Sequence, residues 1–380
     1  MRLVAFAAAA ALAAVPAPWF ALDPALAGAW HVKGDPRTSP RIEIVPKAPV
    51  AGQKRIFVLT SKASASYSIG MNRILRVLGQ EGVHATFTDV NYNKREDLGG
   101  QALADIRGGH YDLVLAIGSE ATDYLYKRYR GGATPVVSAE AKDPVLLGQA
   151  KDYDQGSGTN FAFTSLNVPV KLQMTYLQRL RKGLANVAVL YSARNQSSVE
   201  TQVNPLAAIG PEYGVDVLRV GASSDDLVAD FRRQMPDAIA RMKRRDPDLS
   251  HSIFWIVGAT EVFSQIRAIN RLAGGVPVLS AVPDVVAPGE DSATLAIGVT
   301  FEDNAHLAGL YAARILKGTA RVGDLAVGVV QPPDIAISFL KARQCHLAIP
   351  FDFFETASRV VDAGGRLVRD DNRPVSQPTP

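Results

Sequence analysis

The chain has 380 residues, of which 47% are hydrophobic and 21% charged, and its formal net charge is +4. This is the composition of an ordinary globular protein that is long enough for more than one domain. The basic and acidic residues are interspersed, which excludes a nucleic-acid-binding stripe, and the single cysteine, Cys345, excludes a scaffold held by intramolecular disulfides.

The N-terminus has the pattern of a signal peptide, which we place at residues 1–29. A basic residue precedes an uninterrupted apolar run, residues 3–15, that is too short to span a bilayer. Small residues at Ala25 and Ala27, or at Ala27 and Ala29, fit an A-x-A cleavage site. We therefore expect a periplasmic protein, and not a lipoprotein, because no cysteine lies near the cut. An uncleaved anchor is the alternative.

After a polar, proline-rich leader at residues 30–53, short β-rich runs alternate with amphipathic helical patterns. The strands of the first half are nearly all apolar, which is typical of parallel strands buried on both faces. They are predicted at residues 56–60, 85–90, 113–117 and 136–138, with a helix through Met71, Ile74, Leu75 and Leu78.

The second half repeats this alternation after a polar, glycine-rich stretch at residues 151–160. Its predicted helices are residues 168–182, 196–209 and 225–245, and its strands are residues 187–191, 215–220, 253–257 and 278–281. Beyond Pro288 the pattern predicts a strand at 294–299, a long helix at 304–316, and short strands at 327–331 and 335–339.

One sequence unit occurs in both halves, at residues 111–139 and 251–281. In each copy an apolar run ends at a glycine, a helix-like stretch follows, and a Gly-Gly leads into a proline-headed apolar strand. This order is typical of a strand–helix–strand unit of a parallel sheet. We therefore predict an α/β fold of two Rossmann-like lobes with a ligand between them.

The lobes are predicted to be discontinuous in sequence. We place lobe 1 at residues 54–160 and 293–325, lobe 2 at 161–292 and 326–350, and a C-terminal helix and disordered tail at 351–380. The chain then crosses between the lobes near Thr159, Ala293 and Leu325. Several crossings through a narrow neck form a multi-strand hinge.

Several motifs in this order resemble one protein family. They are GSEAT at residues 118–122, PVVSAEAKDPV at 135–145, GTNF at 158–161, AARILKG at 312–318 and LAIP at 347–350. The chain from about residue 54 to about residue 361 resembles the ABC transporter substrate-binding proteins of the aromatic-amino-acid-binding type, which implies the type I periplasmic binding fold. It departs from that family at Glu120 and at Lys142, so the family's ligand does not carry over.

The first lobe offers candidate ligand-binding residues where its strands end. Ser119, Glu120 and Thr122 open a helix whose free N–H groups suit an anion. Because Glu120 would repel an anion, a zwitterion such as an amino acid fits both; the alternative is that these residues only cap the helix. The hydroxyl-rich loop after the first strand adds Ser61, Ser64, Ser66 and Tyr67.

The second lobe offers candidates at the equivalent strand ends. These are Tyr191, Asn195, Ser197, Gly258 and Thr260. Tyr191 would stack on an aromatic solute or only pack at its strand end. Asp143 and Asp284 follow the paired proline-headed strands, where each would receive an ammonium group or form a turn.

Enzymatic signatures are not found in the sequence. The six histidines are scattered without an H-E-x-x-H spacing, and there is no G-x-S-x-G elbow and no P-loop. Cys345 has only His346 beside it, which does not indicate a thiol triad. We expect no catalytic residue, no metal and no cofactor.

The sequence therefore predicts a monomeric, exported solute-binding protein that closes around a small molecule. An amino acid or a small aromatic acid is favoured by the resemblance, with an ABC permease at the inner membrane as the partner. The alternative is a periplasmic sensing module of the same fold that a sensor kinase reads. A third reading, an α/β hydrolase, would require turnover of the bound compound.

Overall fold

A computed structural model describes residues 17–375 of the chain. The apolar run at residues 3–15 and the last five residues lie outside this part. Among the described residues, no helix has both the length and the apolar character that crossing a bilayer requires.

The first lobe is a seven-stranded sheet in the order β1-β2-β4-β3-β5-β6-β7. Its strands pair in parallel except where β2 pairs antiparallel with β1 and with β4. The strands are β1 (Trp30–Lys33), β2 (Arg41–Pro46), β3 (Lys54–Thr60), β4 (Ala85–Asn91), β5 (Leu113–Ile117), β6 (Val136–Ala139) and β7 (Phe161–Ala162), and the helices between them are α1 (Ala65–Gln80), α2 (Glu96–Gly108) and α3 (Ser119–Tyr129).

The second lobe begins after β8 (Thr164–Ser165), a short strand at the neck. Its elements up to the next crossing are α4 (Val170–Leu180), β9 (Asn186–Ser192), α5 (Gln196–Ser198), α6 (Asn204–Ile209), β10 (Asp216–Ala222), α7 (Leu227–Met242), β11 (Ser252–Ile256), α8 (Thr260–Phe263), α9 (Ile266–Leu272), β12 (Val278–Ser280) and β13 (Leu295–Gly298). A π-helical turn, Val199–Val203, joins α5 to α6.

The chain then returns to the first lobe as α10 (Phe301–Leu316). This helix presents small residues to α1, and a Cβ at Gly309 would stand 2.9 Å from Val77. Gly309 therefore lets the two helices pack closely.

The remaining elements complete the neck and the second sheet. They are β14 (Gly328–Val329), β15 (Asp334–Ser338), α11 (Phe339–Gln344), α12 (Phe351–Thr356), β16 (Arg359–Val361), β17 (Leu367–Asp370) and β18 (Arg373–Pro374). The second sheet has nine strands in the order β10-β9-β11-β12-β13-β15-β16-β17-β18, and β14 pairs in parallel with β8 at the neck.

Apolar side chains cover both faces of each sheet. One cluster joins α1 and α10 to the first sheet, and another joins α2 and α3 to its opposite face. In the second lobe, α7 and α9 cover one face while α4, α6 and α12 cover the other. Burial on both faces explains why the parallel strands read as continuous apolar runs.

Three predicted boundaries differ from the structure. The strand predicted at residues 294–299 belongs to the second lobe, because β13 pairs with β12 and β15, so the middle crossing follows Gly298 rather than Ala293. The leader at residues 30–53 contains β1 and β2, where Ile42 and Ile44 are buried and alternate with exposed residues. Residues 359–374 add three strands to the second sheet, so the predicted disordered tail is wrong for them, whereas α12 lies where the C-terminal helix was predicted.

Candidate ligand-binding cleft

The carboxyl ends of the strands of both lobes face one cavity. The first lobe lines it with the loop after β3, the start of α3 and the segment after β6. The second lobe lines it with the segments after β9, β11 and β12. Ligands of open α/β sheets bind at this edge, so the cavity is the candidate site.

The structure brings many of the predicted site residues to this cavity. Those that line it are Ser66, Tyr67, Ser119, Glu120, Asn195, Ser197, Gly258 and Thr260. Contact with a ligand remains a prediction for each of them.

Three predicted residues of the first lobe, Ser61, Ser64 and Thr122, do not line the cavity, and the first two support residues that do. The Ser61 hydroxyl donates to Glu120 Oε2 (2.8 Å), and the Ser64 and Ser66 hydroxyls are hydrogen-bonded to each other (2.7 Å). The Thr122 hydroxyl donates to the carbonyl of Gly118 (3.0 Å).

The two aspartates and Tyr191 also lie away from this cavity. Asp143 accepts hydrogen bonds from the amides of Val145 and Leu146 (2.9 and 3.1 Å), which is the turn-forming alternative. The Tyr191 ring packs over Gly221, where a Cβ would stand 2.6 Å from the ring. Asp284 lines an adjoining cavity.

The adjoining cavity is acidic. It is lined by Asp284, Asp303 and Asp334 beside Arg359. Burial raises the pKa of Asp284 to about 6, although Arg359 opposes this. Burial and the neighbouring Asp303 raise the pKa of Asp334 to about 7.

Glu120 is neutralised within its own lobe. Its carboxylate meets the ammonium of Lys94 at 2.5 Å and that of Lys62 at 3.9 Å. Burial raises the pKa of Glu120, but the hydrogen bonds with Lys94 and Ser61 and the charge of Lys62 outweigh it, so the pKa is lowered. A neutralised Glu120 no longer argues against an anion at the start of α3.

Lys62 also connects the two lobes. Its Nζ lies 3.8 Å from Glu261 Oε2, at the start of α8 in the second lobe. The other oxygen of Glu261 accepts a hydrogen bond from Asn195 Nδ2 (3.2 Å). The mouth of the cleft is therefore crossed by an ion pair.

Two buried charged residues that sequence reasoning missed line the cavity. Glu140 and Lys142 follow β6 and are 4% and 6% exposed. A signal was present in the repeat, because the strand of the first copy is followed by Glu-Ala-Lys-Asp and that of the second copy by Val-Pro-Asp. The first copy therefore carries charge where the second does not.

Glu140 is held in an unusual environment. Its φ is +53°, in the left-handed region that few non-glycine residues adopt. Neither carboxylate oxygen has a hydrogen-bond partner among the described residues. Burial, and then the negative charge of Asp284, raise the pKa of Glu140 well above its ordinary value.

Lys142 reaches across to the second lobe. Its Nζ is 3.4 Å from Gln202 Oε1, which also accepts the amide N–H of Gly258 (2.9 Å). Burial lowers the pKa of Lys142 to about 8, although Glu261 opposes this. A Cβ at Gly258 would overlap this ammonium, so the glycine leaves room for it.

Two α/β lobes, a neck that the chain crosses three times and a cleft at the strand ends define the class of two-lobed periplasmic binding proteins. The family model described as ABC transporter substrate binding protein matches residues 70–361. The chain belongs to this family, which is one of binding proteins for transport and not of enzymes. The predicted family and fold class are confirmed.

Solved structures share this fold. One is a domain in complex with L-Trp from Streptococcus pneumoniae (19% identity, 82% of this chain and 100% of that chain, TM-score 0.65). Another is a ligand-free, open substrate binding protein with adhesive properties from Clostridium difficile (18% identity, 81% of this chain and 99% of that chain, TM-score 0.62). A third is a carbohydrate transporter from Acidothermus cellulolyticus in complex with myo-inositol (14% identity, 78% of this chain and 97% of that chain, TM-score 0.51). No curated protein matches the chain significantly.

Proposed function

We propose that this protein captures a small solute between its lobes and presents it to an ABC permease at the inner membrane. The observation that carries the proposal is the cavity at the strand ends, which both lobes line with polar and charged side chains. Pockets with a few convergent polar groups on a partly apolar wall are typical of small-molecule sites.

Closure of the hinge is the proposed mechanism. Ser119 on one lobe and Asn195 and Thr260 on the other form two half-sites. A solute that contacts both half-sites stabilises the closed form by its differential interaction with the two states. The cross-lobe contacts of Lys62 and Lys142 add to that form.

An amino acid or a small aromatic acid is the proposed solute. Phe263 and Phe301, whose ring centroids are 6.3 Å apart, and Leu166 give the cavity an apolar wall. The similar protein from Streptococcus pneumoniae was solved with L-Trp. The similar protein with myo-inositol makes polyols the alternative class.

A thermal-shift screen tests the function. Amino acids, aromatic acids, nucleosides and polyols are added to the protein, and a solute at 100 times its Kd adds about 2.7 kcal/mol of stability. The same solute should raise the melting temperature of Ser119→Ala and of Asn195→Ala by less than it raises that of the native protein. Ser250→Ala, before β11 at the opposite end of the strands, serves as the control. No shift with any class would count against solute capture.

We also propose that the protein is exported and that cleavage falls before Trp19 rather than at residues 27–29. Phe20 is 4% exposed in the core of the first lobe, and Asp23 forms an ion pair with Arg76. Asn72 holds the backbone of the same segment through the carbonyl of Ala21 and the amide of Asp23. The mass of the periplasmic protein checks this, and an N-terminus at Gly28 or Trp30 would contradict it.

A further inference from the structure

We propose that the solute is a zwitterion, whose cationic nitrogen is received by Glu140 and whose anionic group is received by Lys142. This deepens the solute-binding function proposed above and rests on it. The proposal separates an amino acid from an aromatic acid that lacks a nitrogen and from a neutral polyol.

The first support is that Glu140 is a buried acid without a cationic partner in the described part of the chain. Glu140 lines the cavity, and neither of its carboxylate oxygens has a hydrogen-bond partner among the described residues. The side chain is accommodated because position 70 is glycine; a Cβ there would overlap Glu140 Oε1. Its amide N–H donates to Asn304 Oδ1 (2.6 Å), which fixes the backbone and not the carboxylate.

The groups around Glu140 do not supply a cation. The Ser66 hydroxyl and the amide of Gly70 approach it from α1 and oppose the rise of its pKa, but both groups are neutral, and Tyr67 lies nearby on the same helix. The one charged group that acts on its pKa is Asp284 of the second lobe, which is also acidic. Two acids that approach from opposite lobes oppose closure unless a proton or a cation stands between them.

The second support is that Lys142 is a buried base with only a weak partner. Its Nζ makes one long hydrogen bond, to the neutral amide of Gln202 (3.4 Å). The charge of Glu261 acts on the pKa of Lys142, but Glu261 forms its ion pair with Lys62 and not with Lys142. A buried ammonium is costly unless an anion meets it.

The positions of Glu140 and Lys142 in the chain also suit a zwitterion. Glu140 and Lys142 are two residues apart on one segment, and both line the same cavity. The start of α3 lies beside Lys142, because the Ser119 hydroxyl accepts the Lys142 amide N–H (2.9 Å). Ser119, the first residue of the eleven-residue helix α3, lines the same cavity, where the N-terminus of the helix favours an anion.

Isothermal titration with matched probes tests this. The probes are the twenty standard L-amino acids, then the desamino acid and the decarboxylated amine of the tightest binder, and myo-inositol as the neutral probe. We expect the amino acid to bind at least about tenfold more tightly than either half-charged analogue, since each lost charge leaves a buried partner unpaired.

Two variants assign the charges. Glu140→Gln should weaken binding of the amino acid about tenfold or more and leave the affinity for the desamino acid unchanged. Lys142→Gln should weaken binding of the amino acid and leave the affinity for the amine unchanged. A variant that loses binding of one analogue and keeps binding of the other has lost recognition of one charge and is not misfolded. The melting temperature of each variant without solute checks the fold.

The outcomes separate the two proposals. Tight binding of myo-inositol or of a desamino acid, with the same affinity in Glu140→Gln, would overturn the zwitterion assignment and leave solute capture standing. No binding by any probe, together with no shift in the wider thermal screen, would overturn solute capture itself and the assignment with it.

Discussion

The two lobes repeat one strand–helix–strand unit, but they line the cleft with different chemistry. The first lobe contributes Glu140 and Lys142, both buried and charged, beside the neutralised Glu120. The second lobe contributes mainly uncharged groups such as Asn195 and Thr260. The same topology therefore supplies charge on one side and neutral polar contact on the other.

The helix that follows the glycine at the strand end, Gly118 in the first lobe and Gly258 in the second, also differs between the lobes. In the first lobe α3 runs for eleven residues from Ser119, whereas in the second lobe α8 has four residues and α9 restarts after a break. A long helix directs its N-terminal dipole at the cleft, and a single turn does not. We infer that the first lobe selects the solute and that the second lobe closes over it.

Buried aspartates give the largest expected contrast between the lobes. Asp89 on β4 is 1% exposed and its Oδ1 has no hydrogen-bond partner among the described residues, and burial raises its pKa to about 8. Asp230 on α7 accepts the amides of Ser224 and Ser223 (2.8 Å each) and Arg233 (2.5 Å), and these contacts lower its pKa.

The two groups shift stability with pH in opposite directions. The folded protein binds the Asp89 proton more tightly than the unfolded chain does, so stability falls as the pH rises from about 4 to about 8. Asp230 stabilises the fold above its unfolded pKa of about 4, and this contribution is lost as the pH falls below that value.

Asp89→Asn and Asp230→Asn check these signs by melting curves from pH 3 to pH 9. We expect Asp89→Asn to melt at least about 4 °C above the native protein at pH 8 and to match it near pH 4. Asp230→Asn should melt lower at pH 7, with a smaller difference at pH 3. Parallel pH profiles for both variants would contradict the contrast.

The paired glycines at the strand ends give the next largest effect. Gly118 has φ 90° and ψ 154°, a conformation that is open almost only to glycine, and a Cβ there would overlap the Tyr67 side chain. The φ of Gly258 lies outside the left-handed region, and a Cβ there would overlap the ammonium of Lys142.

Gly118→Ala should therefore lower the free energy of unfolding by about 1–3 kcal/mol. Gly258→Ala should lower it by less, because its φ is open to alanine and the overlapping atom is the end of a side chain, and it should weaken solute binding, because it displaces the Lys142 ammonium. Denaturant unfolding and titration of the solute found in the screen measure the two effects. Equal loss of stability in both variants would show that the glycines are equivalent.

Much of the fold follows from local pattern in the sequence. Leu113–Ile117 was predicted to the residue, because a buried parallel strand is a continuous apolar run that a glycine ends. The partner of a strand is not local: β13 looks like any apolar strand, and only its pairing with β12 and β15 assigns it to the second lobe. The strand β2 was missed because prolines flank its alternating pattern.

The site was predicted less completely, for a related reason. Hydroxyl and amide residues at strand ends that line the candidate cavity, such as Ser119 and Asn195, were chosen by position alone. Charged residues usually mark the surface, so the charges that distinguish the first copy of the repeat from the second were not recognised as the buried residues Glu140 and Lys142. Tyr191 was favoured as an aromatic at a strand end, but its ring packs over Gly221, a contact between neighbouring strands that the sequence does not specify.

The ion pair across the mouth of the cleft gives the smallest expected effect. Lys62 and Glu261 are separated by 3.8 Å, and their side chains are 27% and 32% exposed. A partly exposed pair contributes about 0–1 kcal/mol. Glu261→Gln removes its charge and keeps the oxygen that accepts from Asn195 (3.2 Å).

We therefore expect Glu261→Gln to weaken solute binding by about two- to fivefold, because the closed form loses up to about 1 kcal/mol. Affinity should also depend less on salt in this variant than in the native protein, since the pair is screened. Glu212→Gln, on the outer surface of the second lobe, is the matched control. An unchanged affinity and salt dependence would show that the ion pair does not contribute to closure. The charges of the solute, rather than those of the two lobes, would then hold the closed form together.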